Sequence, residues 1–441
     1  MKKNNVSYKE FFSAFLIVLI SFFLIFYNYI FRISYVKKEP IKLYFADHIS
    51  PTYKEIIDDF NKAYKDEIEV IPVHIPFEKF STNDRKELLT RYLRNKSDRI
   101  DVFSVDVIWT KRFSKWAAIF DENLANYLKD SLVSEALKSC VFDDKAIAAP
   151  IFIDIGVMYY KESVVYKSKK KEEYLGKIAS SITFEDMANL KKELNLDDNV
   201  YIFPASDYEG LICSFYELYA SELDGKVSTT KFVFNQKAFQ NSYKVLFDCF
   251  NYKNISPSKA LNFRETESLD YFLKGNGVFL RSWPGLLRNA RGLGYTEKDI
   301  QDIKIAPTPS ISGKEGRSII GGWNLMVSKF STKKEAAFKF IEFFLRYESQ
   351  KKLFVSGGYV PTNINVYRNN IEYYNELKFY YNLLREKGLH RPYNESYTKI
   401  SDNLSILIRN SIYKKIDPLI VAQQAKLELK GFLKREVIEI E

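Results

Sequence analysis

Histidine and cysteine are nearly absent from this 441-residue chain, at three residues each. His48, His74 and His390 stand far apart, and Cys140, Cys213 and Cys249 form neither a CxxC pair nor a zinc spacing, so no metal site and no cofactor is expected. Outside the cell the three cysteines would allow one disulfide and one leftover thiol; three buried free thiols is the alternative reading. Glycine (17) and proline (13) are scarce and no internal period runs through the chain, which excludes collagen-like and repeat architectures. No GxSxG, HExxH or Walker loop occurs, and Gly275-Asn276-Gly277 lacks the third glycine of a dinucleotide fingerprint. No pair of carboxylates stands out for glycoside hydrolysis.

What is present describes a foldable protein of more than one lobe. Hydrophobic residues make up 46% and charged residues 28% of the chain, and its length exceeds that of a single ordinary domain. The formal charge of +10 is concentrated at one end: residues 1–40 carry six Lys or Arg against two Glu, leaving about +6 on the other 401. Acidic and basic residues alternate there, as in Lys54-Glu55-Ile56-Ile57-Asp58-Asp59, so no nucleic-acid partner is expected.

Phe11–Phe31 is a stretch of 21 residues without a charge. At about 1.5 Å per residue it spans about 30 Å, the thickness of a hydrocarbon core. It is longer than a signal-peptide core, no small-x-small site follows it, and no cysteine lies near its end for acylation. The expectation is an uncleaved single-pass anchor, with Lys2, Lys3 and Lys9 on the cytoplasmic side and the rest of the chain extracellular or periplasmic.

Beyond residue 40 the periodicity predicts strands at 41–46, 68–75 and 101–107, with helices at 51–64 and 83–96 between them, an order that implies a mainly parallel sheet. Pro72 marks the second strand as an edge. Further strands are expected over 151–160, 277–281 and 321–328. Helices are expected over 208–222, 236–252, 266–274 and, as one long element, 333–356. Thr183 with Asp186 reads as a capping box, and Pro307 to Gly316 as a linker.

Several strand ends carry aromatic and charged side chains together: Asp106-Val107-Ile108-Trp109, Pro150-Ile151-Phe152-Ile153-Asp154, Arg281-Ser282-Trp283-Pro284, Gly321-Gly322-Trp323-Asn324 and Arg391-Pro392. They hold three of the four tryptophans. The chemistry suits a sugar, whose C–H faces pack on rings while its hydroxyls pair with carboxylate and guanidinium groups. Each Trp taken singly reads equally as core packing.

At these segments the chain resembles the family 1 (maltose-binding-like) extracellular solute-binding proteins of ABC importers, and within them the trehalose/maltose-binding branch. DVFSVDVIW, PIFIDIGVMYYKES, DYEGLICSFYEL, FLKGNGVFLRSWP, GGWNLMVSKFSTKKEAAFKFIEFF and GGYVPT match blocks of that family in order, from about Ile41 to Leu429. The resemblance implies a two-lobed α/β periplasmic-binding-protein fold of type II. Each lobe would be a mainly parallel sheet flanked by helices, with a ligand cleft between the lobes and one transmembrane helix in front. The implied division is a stub, anchor and linker over 1–40, a first lobe of 41–150 plus 322–346, and a second of 155–318 plus 348–441. The implied activity is capture of an oligosaccharide, a disaccharide such as trehalose or maltose, by a monomer that delivers it to permease subunits with a cytoplasmic ATPase. By position, Arg85, Asp106 and Trp109 would face the cleft from the first lobe, Phe152 and Asp154 from the first crossover, Gly322 and Trp323 from the second, and Glu209, Trp283 and Arg391 from the second lobe. Asp47-His48-Ile49-Ser50 departs from the family pattern by offering no carboxylate just after the first strand. A membrane-anchored sugar sensor is the alternative reading, and a surface glycosidase a third.

Overall fold

We describe residues 7–34, 39–76, 82–433 and 435–440 of a computed structural model. The first element is the helix Tyr8–Ser34. Its side chains from Tyr8 to Tyr27 are exposed, no core covers them, and the helix is long and apolar enough to cross a membrane.

Two sheets follow, each with its own core. The first runs from the edge strand Ile68–His74 through Ile41–Asp47 and Val102–Asp106 to Ser318–Val327. Ala149–Ile155 and Gly388–His390 also pair with that last strand. Pro72 does lie on the edge strand, where its missing N–H costs no ladder bond. On one face of this sheet, Leu43, Phe45, Tyr53 and Phe60 pack with Phe340, Phe344 and Leu353. The second sheet orders Ile303–Pro307, Val157–Lys161, Phe279–Ser282 and Tyr201–Ile202, over a core that includes Phe215, Tyr219, Phe239, Ile408 and Val421. Beneath the junction a further cluster, including Ile153, Ile155, Ile320, Val360 and Tyr367, joins the two lobes.

The strand pairing is mixed rather than mainly parallel. Val157–Lys161 runs antiparallel to both its neighbours, and Ser318–Val327 antiparallel to Val102–Asp106 and Ala149–Ile155. A strand that enters a sheet from the other lobe does not arrive through a helical crossover, so the rule that makes βαβ neighbours parallel does not bind it.

Two expected elements are each divided. The strand over 151–160 is two strands, Ala149–Ile155 and Val157–Lys161, broken at Gly156 where the chain leaves one sheet for the other. A β-carbon at Gly156 would strike the Glu217 carboxylate, so a larger residue at the crossing would displace that side chain. The helix over 333–356 is broken at Arg346, whose extended backbone separates Lys334–Leu345 from Tyr347–Gly357. The capping box at Thr183 and Asp186 is formed, and Pro418 opens the helix Pro418–Leu429 behind the cap Asp417. All three cysteines are free and buried.

Candidate functional site

The centre of the site is the antiparallel pair that crosses between the lobes. Its register sets Asp154 opposite Gly321, Ile153 opposite Gly322 and Phe152 opposite Trp323, while Trp323 on its other edge faces Asp106. Gly322 has φ +126°, and a β-carbon there would run into the Phe152 carbonyl. Gly321 is the point of convergence. A β-carbon on it would stand 3.5 Å from the Asp154 Cβ, 3.5 Å from the Trp283 ring and 3.6 Å from Arg391 Nη2. The Asp154 side chain, an indole and a guanidinium from three distant segments thus pack around a residue that has no side chain of its own.

The indole and the guanidinium are each held from behind. Arg281 forms a two-pronged buried ion pair with Glu217, Nη2 to Oε1 at 2.8 Å and Nε to Oε2 at 3.2 Å, and its guanidinium lies 4.2 Å from the centroid of Trp283. One face of that indole is therefore occupied by protein. Arg391 is buried and pairs with Glu209, which also accepts from Tyr397 at 2.9 Å and from Ser401. Glu209 is consumed in orienting Arg391, whose Nε has no partner among the described residues. Trp323 is supported in the same way. Arg85, bonded to Asp47 at 2.8 Å and to the Ile75 carbonyl, sits 4.9 Å from its centroid, and Trp109 meets it edge-on at 6.4 Å. Asp47 thus does place a carboxylate at the end of the first strand, but it is 4% exposed and spent on Arg85.

Asp106 and Asp154, which form no ion pair among the described residues, are tuned by burial. Asp106 is pushed up to about 6 by desolvation, opposed first by Arg391. One of its oxygens accepts from the Ile108 N–H at 3.1 Å. Asp154 is likewise pushed up to about 6 by desolvation, opposed first by Arg288. Each of these carboxyls thus combines a raised pKa with a neighbouring cationic guanidinium.

Of the residues read from sequence, Asp106, Phe152, Asp154, Trp283, Gly322, Trp323 and Arg391 come together around the crossing strands. Arg85 and Glu209 stand one layer behind, holding Trp323 and Arg391. Trp109 is 2% exposed and donates its Nε1–H across to Thr398 of the second lobe at 3.1 Å. Sequence reasoning named Arg281 and Gly321 within strand-end segments without assigning either to the site, and passed over Tyr359 and Arg288. Arg281, Gly321 and Tyr359 lie inside motifs quoted above; Arg288, on a short helix with no pattern of its own, carried no signal.

The model of the family described as bacterial extracellular solute-binding protein matches residues 46–351. The chain belongs to that family. A protein of Deinococcus radiodurans named "Probable ABC transporter-binding protein" is 23% identical over 361 residues, spanning 78% of this chain and 82% of that one. Among solved structures, the maltose-bound MalE3 of T. maritima superposes with a TM-score of 0.75 at 22% identity, covering 89% of this chain and all of the other. The GacH receptor of Streptomyces glaucescens, solved unliganded and with acarbose, gives 0.74 at 18%, covering 90% and 99%. These likenesses establish the two-lobed fold. In this solute-binding protein the crossing strands and Gly321 therefore lie at the junction between the lobes.

Proposed function

We propose that this solute-binding protein captures a sugar and delivers it to an ABC-type importer, without catalysing a reaction on it. The convergence of Asp154, Trp283 and Arg391 around the buried Gly321 carries the reading: an indole, a carboxyl and a guanidinium gathered at one point are the groups that recognise a pyranose with adjacent hydroxyls. An oligosaccharide of two rings, trehalose or maltose, fits a site with two indoles, Trp283 just past the strand Phe279–Ser282 and Trp323 within Ser318–Val327. That neighbours in fold are recorded with maltose and with acarbose supports the class. The exposed apolar helix Tyr8–Ser34 supports single-pass anchoring with the binding lobes outside the cytoplasm, and the protein acts as a monomer. The lobe division belongs to the same proposal, with helix Tyr347–Gly357 added to the first lobe because Leu353 packs with Phe45 and Tyr53.

A thermal-shift screen of the chain from residue 39 onward against mono-, di- and trisaccharides tests it. A sugar at 100 times its dissociation constant adds about 2.7 kcal/mol to the folded state. A disaccharide is expected to raise the melting temperature, and hydrolysis of the bound sugar, or no shift across the panel, would overturn the reading.

A further inference from the structure

We propose that Arg288 couples solute capture to lobe closure, by reaching from the second lobe to complete the C-terminal end of helix Tyr347–Gly357 on the first. The inference rests on the capture reading above and adds to it the residue that transmits binding. Arg288 lies on helix Leu286–Gly292, just after the second-sheet strand that ends in Ser282. Its Nη1 donates to the Gly357 carbonyl at 3.1 Å and the Gly358 carbonyl at 3.3 Å, and its Nη2 to Pro284 at 3.2 Å. The guanidinium also stacks 4.0 Å from the centroid of Tyr359, which belongs to the first lobe's core.

The last carbonyls of a helix have no partner inside it and carry the negative end of its dipole. Gly358, left-handed at φ +62°, turns the chain there and presents them. A cation from the opposite lobe meets them only when the lobes are together. The approach is close: a β-carbon on Gly285 would lie 2.9 Å from the Gly358 carbonyl and 2.7 Å from the Arg288 guanidinium. Arg288 is also the foremost charge opposing the burial of Asp154, so the solute-facing carboxylate and the first-lobe helix end are tied to one side chain.

Full-length protein in detergent, with trehalose and maltose as probes, tests this through stopped-flow tryptophan fluorescence, calorimetry and the melting temperature without ligand. A contact made only on closure holds the closed complex, so it acts on dissociation. For Arg288→Ala we expect the dissociation rate to rise about tenfold or more, the association rate to stay within about twofold, and the ligand-free melting temperature to stay near wild type. Arg288→Lys keeps the charge but not the fork, and should fall between the two. A lowered ligand-free melting temperature with an unchanged dissociation rate would make Arg288 a permanent helix cap and overturn the proposal. If wild type binds the sugars and Arg288→Ala dissociates as wild type does, the coupling fails alone. If wild type binds neither sugar, the capture reading falls and this inference with it.

Discussion

Replacing Asp154 by asparagine should make the ligand-free protein more stable and the complex weaker. Burial raises the Asp154 carboxyl from its ordinary 3.8 to about 6, so the folded state holds a proton through a range where the unfolded chain has lost it. Below about pH 4 both states are protonated and the group contributes nothing. As pH rises to about 6 stability falls, and above that the full cost of a buried charge is present. Each unit is about 1.4 kcal/mol; discounted for the solvent that reaches this half-buried side chain, the cost is about 1–2 kcal/mol. Asp154→Asn removes it, so at pH 7.5 the variant should gain about 1–2 kcal/mol, and at pH 4 nothing. Binding moves the other way. A carboxylate accepting two hydroxyl bonds contributes about 1.5–3 kcal/mol for each, and an amide keeps about half of that. A loss of about 1.5–3 kcal/mol is expected, roughly 10- to 150-fold in affinity. Urea unfolding and calorimetry at both pH values measure the two effects. An affinity within twofold of wild type, or a variant less stable than wild type at pH 7.5, would refute the reasoning.

Trp283→Ala should weaken sugar binding by about 1–3 kcal/mol, a range borrowed from base stacking on aromatic rings, while lowering ligand-free stability by less than the 3–5 kcal/mol typical of a fully buried ring. Calorimetry beside thermal unfolding separates the two, and a loss of stability alone would make Trp283 structural. Arg281→Met strands the buried Glu217 carboxylate and should cost about 3–5 kcal/mol of stability in urea unfolding. Adding Glu217→Leu should restore most of it, and failure to do so would mean that Arg281 matters through its stacking on Trp283 rather than through its charge.

Local signals determined much of this protein. The apolar run at Phe11–Phe31, the strands beginning at Ile41 and Ile68, and the capping box at Thr183 and Asp186 follow from hydrophobic period and from side chains three residues apart, physics that acts within a few turns of chain. The aromatic and charged segments at strand ends were legible for the same reason. Where two neighbours in sequence belong to different lobes, local pattern fell short: the apolar run 151–160 reads as one strand, yet its halves on either side of Gly156 pair in different sheets, and the Glu217 carboxylate packed against that glycine comes from a helix sixty residues on. The roles of the charged residues lay further from sight. Asp47 and Arg85, Glu209 and Arg391, Glu217 and Arg281, and Arg288 with the end of helix Tyr347–Gly357 are pairings between segments 38 to 182 residues apart. A buried charge must find its counter-charge, but composition does not say which one lies within 3 Å. Only the packing of two lobes decided that Glu209 and Arg85 are spent on ion pairs with Arg391 and Asp47 while Asp154 and Asp106 form none among the described residues.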